Sequence, residues 1–183
     1  NTSPNTRLTL SFIYRKDPAA LEAKRADSTA LIDEFCAAQF LFDKQWLSLK
    51  AYANAKGVSL VGDMPIYVGG HSADVWANQT LFLLNENCRP SAVAGVPPDA
   101  FSEDGQLWGN PLYDWNAHDK EGYEWWAGRL GRALELHDEV RIDHFRAFAA
   151  YYSVPAEAKT AKSGKWIVGP GEKFFKGIAS FLN

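Results

Sequence analysis

The chain has 183 residues, of which 46% are hydrophobic and 22% charged, and these ordinary globular values exclude global disorder. Its 19 basic and 22 acidic side chains give a formal charge of −3, so it lacks the basic excess of a general nucleic-acid binder. Aromatic residues reach 14%, with 7 Trp, which suits either core packing or sugar-stacking surfaces. The length suits one domain or a piece of something larger.

The two cysteines, Cys36 and Cys88, form neither a metal-binding spacing nor a disulfide framework. They favour reduced thiols in a reducing compartment, with one bridge between them left open. No apolar run approaches the roughly 20 residues of a membrane-spanning helix, and no signal-peptide pattern follows Asn1. An amphipathic pattern still runs through residues 174–182, so we expect both ends to be cut and residues 1–183 to be an internal segment of one domain.

The first third of the chain predicts a short extended stretch and a long helical one. Residues up to Phe12 are polar and then strand-like, and Asp17-Pro18 is a typical helix start. The helix is predicted to break near Ser28 and to end at Gly57. Its second half places apolar side chains on one face at three- and four-residue steps: Phe35, Phe42, Trp46, Leu49 and Ala53.

Two strands separated by a loop and a helix are predicted next. Residues 58–63 form an apolar run without polar alternation, which predicts a strand buried on both faces. Residues 69–116 predict a long loop with short helical or extended pieces at 73–77 and 80–84. An amphipathic helix then places Tyr123, Trp126, Leu130, Ala133, Leu134 and His137 on one face. A strand at residues 139–143 follows it.

A third loop, residues 155–170, leads into a final helix. The alternation of helices, strands and loops predicts an α/β fold with βαβ units and a parallel sheet. Each predicted strand ends in a carboxylate, Asp63 or Asp143, and catalytic groups in such folds lie at the carboxyl ends of strands.

Arg141 and Asp143 are two residues apart on a predicted strand and therefore point to the same face. A guanidinium beside a carboxylate favours its ionised form, which a nucleophile on a sugar carbon requires. The simpler explanation is a buried ion pair that ties the strand to its neighbours. The strand-end position and the adjacent His144 make the catalytic interpretation equally plausible.

Asp63 allows three interpretations: it caps N–H groups of the following loop, bonds a sugar hydroxyl, or holds Arg141. His71 and Asp74 have helical spacing, but two ligands are too few for a metal site, and Ser72 is better explained as a helix cap. Residues 169–173 lack the spacing of a phosphate-binding loop. The sequence has no serine nucleophile elbow.

Residues 94–113 form a Pro-stiffened, Gly-hinged, aromatic segment that is typical of lids and binding loops. Phe101 and Trp108 could stack on sugar faces while Gln106 supplies hydrogen bonds. Alternatively, both rings anchor the loop to the rest of the fold.

Several motifs together resemble one family, the 4-alpha-glucanotransferases of glycoside hydrolase family 77, which include the amylomaltases and disproportionating enzymes. The most specific are the segment 93–113 and RIDHFR at 141–146, in this order and spacing. Supporting motifs are GDMPIYV at 62–68, SADVWAN at 72–78, GKW at 164–166 and GPG at 169–171.

The resemblance implies part of a (β/α)8 TIM barrel that transfers an α-1,4-glucan segment to a glucan or to glucose with retention. Asp143 matches the catalytic nucleophile and Arg141 the residue that positions it. Asp63, Gln106, Trp108 and His144 match substrate contacts, with Phe101 also on the lid. No cofactor, metal, nucleic acid or membrane is implied, and the compartment would be a bacterial cytoplasm or a plastid stroma.

The chain departs from the family pattern at Ala100, where many bacterial members carry an aromatic residue, and at Ala147, which replaces a Gly. The family's acid/base Glu and third carboxylate are expected beyond residue 183, so the segment alone should be inactive. Two alternatives stay open: an α-amylase-type hydrolase, which usually has an Asn-His pair after the first aspartate, and a non-catalytic glucan-binding module.

Overall fold

The computed structural model describes residues 13–181, so the strand-like stretch predicted up to Phe12 lies outside the described residues. The chain divides into two compact units, Asn1–Leu60 and Val61–Asn183. Within the described residues, no helix is long and apolar enough to cross a membrane.

Two consecutive helices form the described part of the first unit, α1 at Pro18–Asp27 and α2 at Thr29–Ala55. The predicted start is confirmed, because the Asp17 carboxylate accepts a hydrogen bond of 2.9 Å from the backbone N–H of Ala20. The predicted break at Ser28 is also confirmed. Gly57, with φ of 75°, follows the end of α2 in the left-handed conformation that glycine tolerates best.

Helix α2 buries none of its side chains among the described residues. Phe42 and Trp46 on the predicted apolar face stack on each other with ring centroids 5.9 Å apart. Much of the remaining apolar surface is open to solvent at Leu31, Ile32, Phe35, Phe40, Leu41, Leu49 and Tyr52. The amphipathic pattern thus forms a helix whose apolar face covers no core among the described residues of this unit.

The second unit contains a parallel pair of strands, β1 at Val61–Pro65 and β4 at Glu139–Asp143. The β4 prediction is confirmed at both bounds. The prediction for β1 was wrong in two respects: the strand starts three residues later than expected, and its residues alternate between exposed and buried. One face is exposed because β1 and β4 form a two-stranded ladder in the described residues. The later bounds of β1 also mean that Asp63 lies inside the strand and not at its end.

The sequence did not predict a four-stranded antiparallel sheet, three strands of which occupy regions expected to be loops. Its order is β3-β2-β5-β6, formed by Gln106–Pro111, Ala92–Val96, Ala150–Pro155 and Lys165–Val168. Gly95 lies on β2 where a Cβ would collide with the backbone carbonyl of Gln106 on β3, so glycine permits the close approach of the two strands.

Short helices flank the strands: α3 at Ala73–Ala77, α4 at Trp115–Lys120, α5 at Glu124–Leu136 and α6 at Glu172–Ala179. Helix α5 confirms the predicted amphipathic helix, with Trp126 and Leu130 buried on the expected face. Leu134, predicted on the same face, is exposed. The core is strongly aromatic, and it joins Tyr113, Trp126, Phe148 and Phe174 from four different segments. Much of the aromatic excess therefore serves packing.

Candidate active site

Arg141 connects two carboxylates of the parallel pair, Asp63 inside β1 and Asp143 at the carboxyl end of β4. Its Nη1 atom donates hydrogen bonds of 2.8 Å to both carboxylate oxygens of Asp63, and its Nη2 atom donates one of 2.5 Å to Oδ1 of Asp143. The β1–β4 register explains the arrangement, because it pairs Asp63 with Arg141 and Pro65 with Asp143. Alternation on the strand then places Arg141 and Asp143 on one face, as predicted.

In residues 1–183 all three side chains are more than half exposed, so the pair is not buried as the sequence-based alternative expected, although Arg141 does tie β4 to β1 through Asp63. Exposed ion pairs contribute little to stability, typically below about 1 kcal/mol. A charged cluster with this geometry at the surface is better explained by what it orients than by what it stabilises. For Asp63, the structure selects the third of the sequence-based interpretations, that it holds Arg141.

A cleft of about 160 Å³ opens beside this cluster. Its lining combines the end of β1, the end of β4 and strand β3: Pro65, Ile66, Tyr67, Trp108, Asn110, Asp143 and His144. The structure therefore brings together three residues predicted from sequence, Trp108, Asp143 and His144. An apolar wall with a few convergent polar groups is typical of a small-molecule site.

Three rings form the aromatic part of the cleft. Trp108 and His144 meet edge to face with centroids 4.8 Å apart, and Tyr67 lies 6.3 Å from each of them. Trp108 remains 38% exposed, whereas Tyr67 is buried. Two roles of Trp108 were open from the sequence, stacking on sugar or anchoring the loop. In the structure it contacts neighbouring rings and still presents surface to the cleft.

His144 follows directly after Asp143 in a left-handed backbone conformation, with φ of 54°. Its Nε2 atom is buried and has no hydrogen-bond partner among the described residues. Burial lowers the pKa of His144 below its usual value, the Arg146 charge adds to this, and Asp143 acts in the opposite direction. The imidazole is therefore neutral near pH 7, where it can donate or accept one hydrogen bond without adding charge beside Asp143.

Gln106 and Trp108 lie on strand β3, so the expectation that they belong to an irregular loop was wrong. Residues 97–105 form the irregular part of the predicted lid. The side chains of Gln106 and Trp108 are linked by a hydrogen bond of 3.0 Å from Trp108 Nε1 to Gln106 Oε1. The Gln106 amide nitrogen stays available for another acceptor.

Phe101 lies at the tip of the irregular segment and is fully exposed, so of its two sequence-based interpretations the structure contradicts the alternative that its ring anchors the loop. The tip is held by its own turn, since Asp99 Oδ1 accepts 2.8 Å hydrogen bonds from the backbone N–H groups of Phe101 and Ser102. At the base of the segment, Lys162 forms an ion pair of 2.8 Å with Asp104. The tip thus has a defined conformation that presents an aromatic ring.

The alternative of a metal site at His71 and Asp74 gains no support. Ser72 accepts a 3.3 Å hydrogen bond from the backbone N–H of Val75, which confirms its predicted role as a helix cap. Among residues 13–181 there is no group of three or more potential metal-ligating side chains.

Besides Pro65 and Ile66, two residues of the cleft with polar or aromatic side chains were not predicted as site residues, Tyr67 and Asn110. Asn110 donates a 2.9 Å hydrogen bond to the carbonyl of Val68, which joins β3 to the loop after β1. Tyr67 follows the carboxyl end of β1 by two residues, and this position could have indicated a site residue. Asn110 offered no comparable signal, because its role depends on a contact across 42 residues.

Comparisons with known proteins agree on one family. Residues 8–183 match the family model described as 4-alpha-glucanotransferase. A chloroplastic/amyloplastic 4-alpha-glucanotransferase of Solanum tuberosum is 58% identical over 160 residues, which cover 87% of this chain and 28% of the relative. A 4-alpha-glucanotransferase of Streptococcus pneumoniae is 49% identical over 164 residues, covering 90% of this chain and 32% of the relative.

A solved structure leads to the same family. The amylomaltase from Streptococcus agalactiae in complex with acarbose superposes with a TM-score of 0.91 at 41% identity, covering 94% of this chain and 35% of that one. The chain thus spans about a third or less of the length of these relatives.

Proposed function

Because this chain belongs to the 4-alpha-glucanotransferase family, we propose that the polypeptide carrying it transfers a segment of a 1,4-alpha-D-glucan to an acceptor glucan or to glucose. One observation supports this proposal above all. Arg141 holds Asp143 at the carboxyl end of a parallel strand, beside a cleft lined by Trp108 and Tyr67. This arrangement supplies an oriented anion and aromatic faces, which are two requirements of a retaining glucan-processing site.

In the proposed first step, Asp143 attacks the anomeric carbon of the donor glucan while the glycosidic bond to the leaving glucan breaks. A general acid protonates the departing oxygen, and the donor segment stays bound as a glycosyl ester of Asp143. The Arg141 guanidinium keeps one carboxylate oxygen in place, which leaves the other free to attack. Substrate-binding roles are proposed for Asp63, Gln106, Trp108, His144 and the lid residue Phe101.

In the second step an acceptor hydroxyl attacks the glycosyl ester and releases Asp143. Its proton passes to the residue that served as general acid in the first step and now acts as general base. We propose that this acid/base is a Glu outside residues 1–183, placed about 5–5.5 Å from Asp143 as retention requires. Transfer in place of hydrolysis requires that an acceptor sugar displaces water from the intermediate. The tip at Phe101 supports this role, because a fully exposed aromatic ring can cover a bound sugar.

We propose that the fold is part of a (β/α)8 barrel and that residues 1–183 form one internal segment of it. The parallel β1–β4 pair, connected through α5, is the kind of unit from which such barrels are built. The proposed substrates are α-1,4-glucans and maltooligosaccharides, with glucose as an acceptor, and no cofactor is proposed. We propose a plastid stroma for a plant or algal source and the cytoplasm for a bacterial one.

The test is disproportionation of maltotriose by the full-length polypeptide, with products followed by chain length. We expect glucose together with maltooligosaccharides longer than the substrate. If the products are only glucose and maltose, the transferase proposal is contradicted and the hydrolase alternative is supported. Binding of maltotriose without turnover would favour the non-catalytic module. Residues 1–183 expressed alone should give no transfer product, and a product from them would contradict the proposed external acid/base.

A further inference from the structure

Arg129 on helix α5 contacts the turn that follows strand β1. Its Nη2 atom donates a 2.5 Å hydrogen bond to the carbonyl of Pro65, and its Nη1 atom donates one of 2.9 Å to the carbonyl of Ile66. These contacts span 64 and 63 residues of sequence. One guanidinium therefore holds two successive carbonyl groups at the carboxyl end of a site strand.

Tyr113 completes the same contact from a third segment. Its hydroxyl donates a 2.6 Å hydrogen bond to the Ile66 carbonyl and lies 3.2 Å from Nη1 of Arg129. Tyr113 is buried, and burial raises the pKa of its hydroxyl well above the ordinary value, so it remains a donor. The Ile66 carbonyl thus receives a charged donor and a neutral donor together.

The Arg129 side chain is itself fixed in place. Its guanidinium carbon lies 5.0 Å from the ring centroid of Trp126 and 5.6 Å from that of Trp125, within cation–π range. In the part of the chain that the structure describes, Arg129 makes no ion pair with a carboxylate. The charge of this partly buried guanidinium is stabilised by the carbonyl dipoles of Pro65 and Ile66, and its hydrogen bonds fix the direction of those carbonyls.

The turn held by Arg129 connects directly to the site. Pro65 is the register partner of Asp143, and the backbone N–H of Ile66 donates a 3.3 Å hydrogen bond to the Asp143 carbonyl. Tyr67, the next residue, lines the cleft. A shift of this turn would therefore move Asp143, Tyr67 and, through the strand, Asp63 relative to one another.

We propose that Arg129, assisted by Tyr113, is a positioning residue that fixes the turn after β1 and so sets the geometry of Asp143 and Tyr67. This inference rests on the proposed function. It predicts an effect on catalysis without contact between Arg129 and the glucan, because a displacement of about 1 Å at reacting groups can cost roughly 100-fold in rate. The fork of two donors is essential, since lysine provides a point charge that reaches one carbonyl at a time.

The experiment compares Arg129→Met, Arg129→Lys and Tyr113→Phe in the full-length polypeptide, using kcat and KM for maltotriose. Arg132→Lys is the matched control, because Arg132 lies one turn further along α5 and pairs with Glu135 at the surface. We expect kcat to fall roughly 100-fold in Arg129→Met, about 10-fold in Arg129→Lys and several-fold in Tyr113→Phe, with KM changing less than kcat. The Arg129→Met, Tyr113→Phe double variant should lose less than the product of the single losses, because both donors serve one carbonyl.

A melting temperature recorded for each variant separates positioning from unfolding. If Arg129→Met does not fold, Arg129→Lys and Tyr113→Phe decide the matter: a loss in kcat with KM maintained supports the proposal. Folded variants with kcat within about twofold of the parent, or with losses equal to that of Arg132→Lys, would overturn it. A parent that hydrolyses without transfer would contradict the proposed function alone, since hydrolysis rates would still report on Arg129.

Discussion

Asp63 and Arg141 face each other across the β1–β4 ladder, joined by two 2.8 Å hydrogen bonds between residues 78 positions apart. The contact with Asp63 fixes the position of the Arg141 guanidinium independently of Asp143. With Nη1 committed to Asp63, Nη2 is directed at Asp143. Asp63 therefore contributes to the orientation of Asp143 through Arg141, in addition to any contact with a sugar.

Removing the guanidinium should separate activity from stability. In Arg141→Met, the carboxylates of Asp63 and Asp143 lose their shared donor, and we expect kcat for maltotriose to fall at least roughly 100-fold. Since all three side chains are more than half exposed in residues 1–183, the free energy of unfolding of this segment should change by no more than about 1 kcal/mol. Turnover assays and denaturant titrations measure the two effects.

Lys176→Met provides the matched control, because it removes another exposed ion pair, Lys176–Glu172, from helix α6. That variant should keep both its activity and its stability. Equal losses of activity in the two variants would mean that Arg141 acts as a general surface charge and not as the partner of Asp143.

Asp143→Asn tests the proposed nucleophile in the full-length polypeptide. The amide retains the size of the side chain but cannot form the glycosyl ester, so we expect kcat to fall by roughly 1,000-fold or more. The KM for maltotriose should remain within about tenfold of the parent, because the aromatic lining of the cleft is unchanged. Normal turnover by this variant would remove Asp143 from the mechanism.

The sequence predicted the local elements of this structure better than its pairings. Strand Glu139–Asp143 and helix Glu124–Leu136 carry clear periodic or apolar patterns, and the structure confirms both. Strand Ala92–Val96 was missed because its pairing with β5 joins segments far apart in the chain, and Lys165–Val168 was missed because it is only four residues long. In such short segments, interrupted by Gly and Pro, the alternating pattern of a strand is too brief to be recognised.

The site was also predictable only where it depends on local spacing and not on pairing between distant segments. Arg141 and Asp143 share a strand face, which two-residue spacing reveals, and the structure confirms that they are in contact. The link from Arg141 to Asp63 was one of several options, because strand register is not visible in a sequence. Arg129 could not be identified at all, since its contacts with Pro65 and Ile66 depend on how α5 packs against β1.

Two helical glycines should respond in opposite directions to alanine. A Cβ at Gly177 on α6 would collide with the ring of the buried Tyr123, whereas a Cβ at Gly128 on α5 would meet nothing within 4 Å. Gly128→Ala should therefore stabilise by roughly 0.5–1 kcal/mol through helix propensity. Gly177→Ala should destabilise by about 1 kcal/mol or more, because overpacking exceeds the same gain in propensity. Denaturant midpoints of the two variants provide the measurement, and a stabilised Gly177→Ala would show that Tyr123 can move aside.

His118 should make the fold sensitive to mild acid. The side chain is fully buried among aromatic rings, and this burial lowers its pKa from 6.5 to about 4. Because the unfolded chain takes up the proton at the higher pKa, stability is lost progressively as the pH falls from about 6.5 to about 4. The expected loss between neutral pH and about pH 4.5 is roughly 2 kcal/mol from this group.

The variant His118→Gln isolates this contribution, since it removes the titrating ring while leaving a polar group near Glu121, which lies 3.1 Å from His118 Nδ1. The pKa of Glu121 is raised by burial, so Glu121 favours the folded state at low pH and acts against the effect of His118. Unfolding free energies at neutral pH and near pH 4.5 should therefore differ less in His118→Gln than in the parent, by roughly 2 kcal/mol. Parallel pH dependence of the two proteins would mean that His118 is protonated in the folded state, despite its burial.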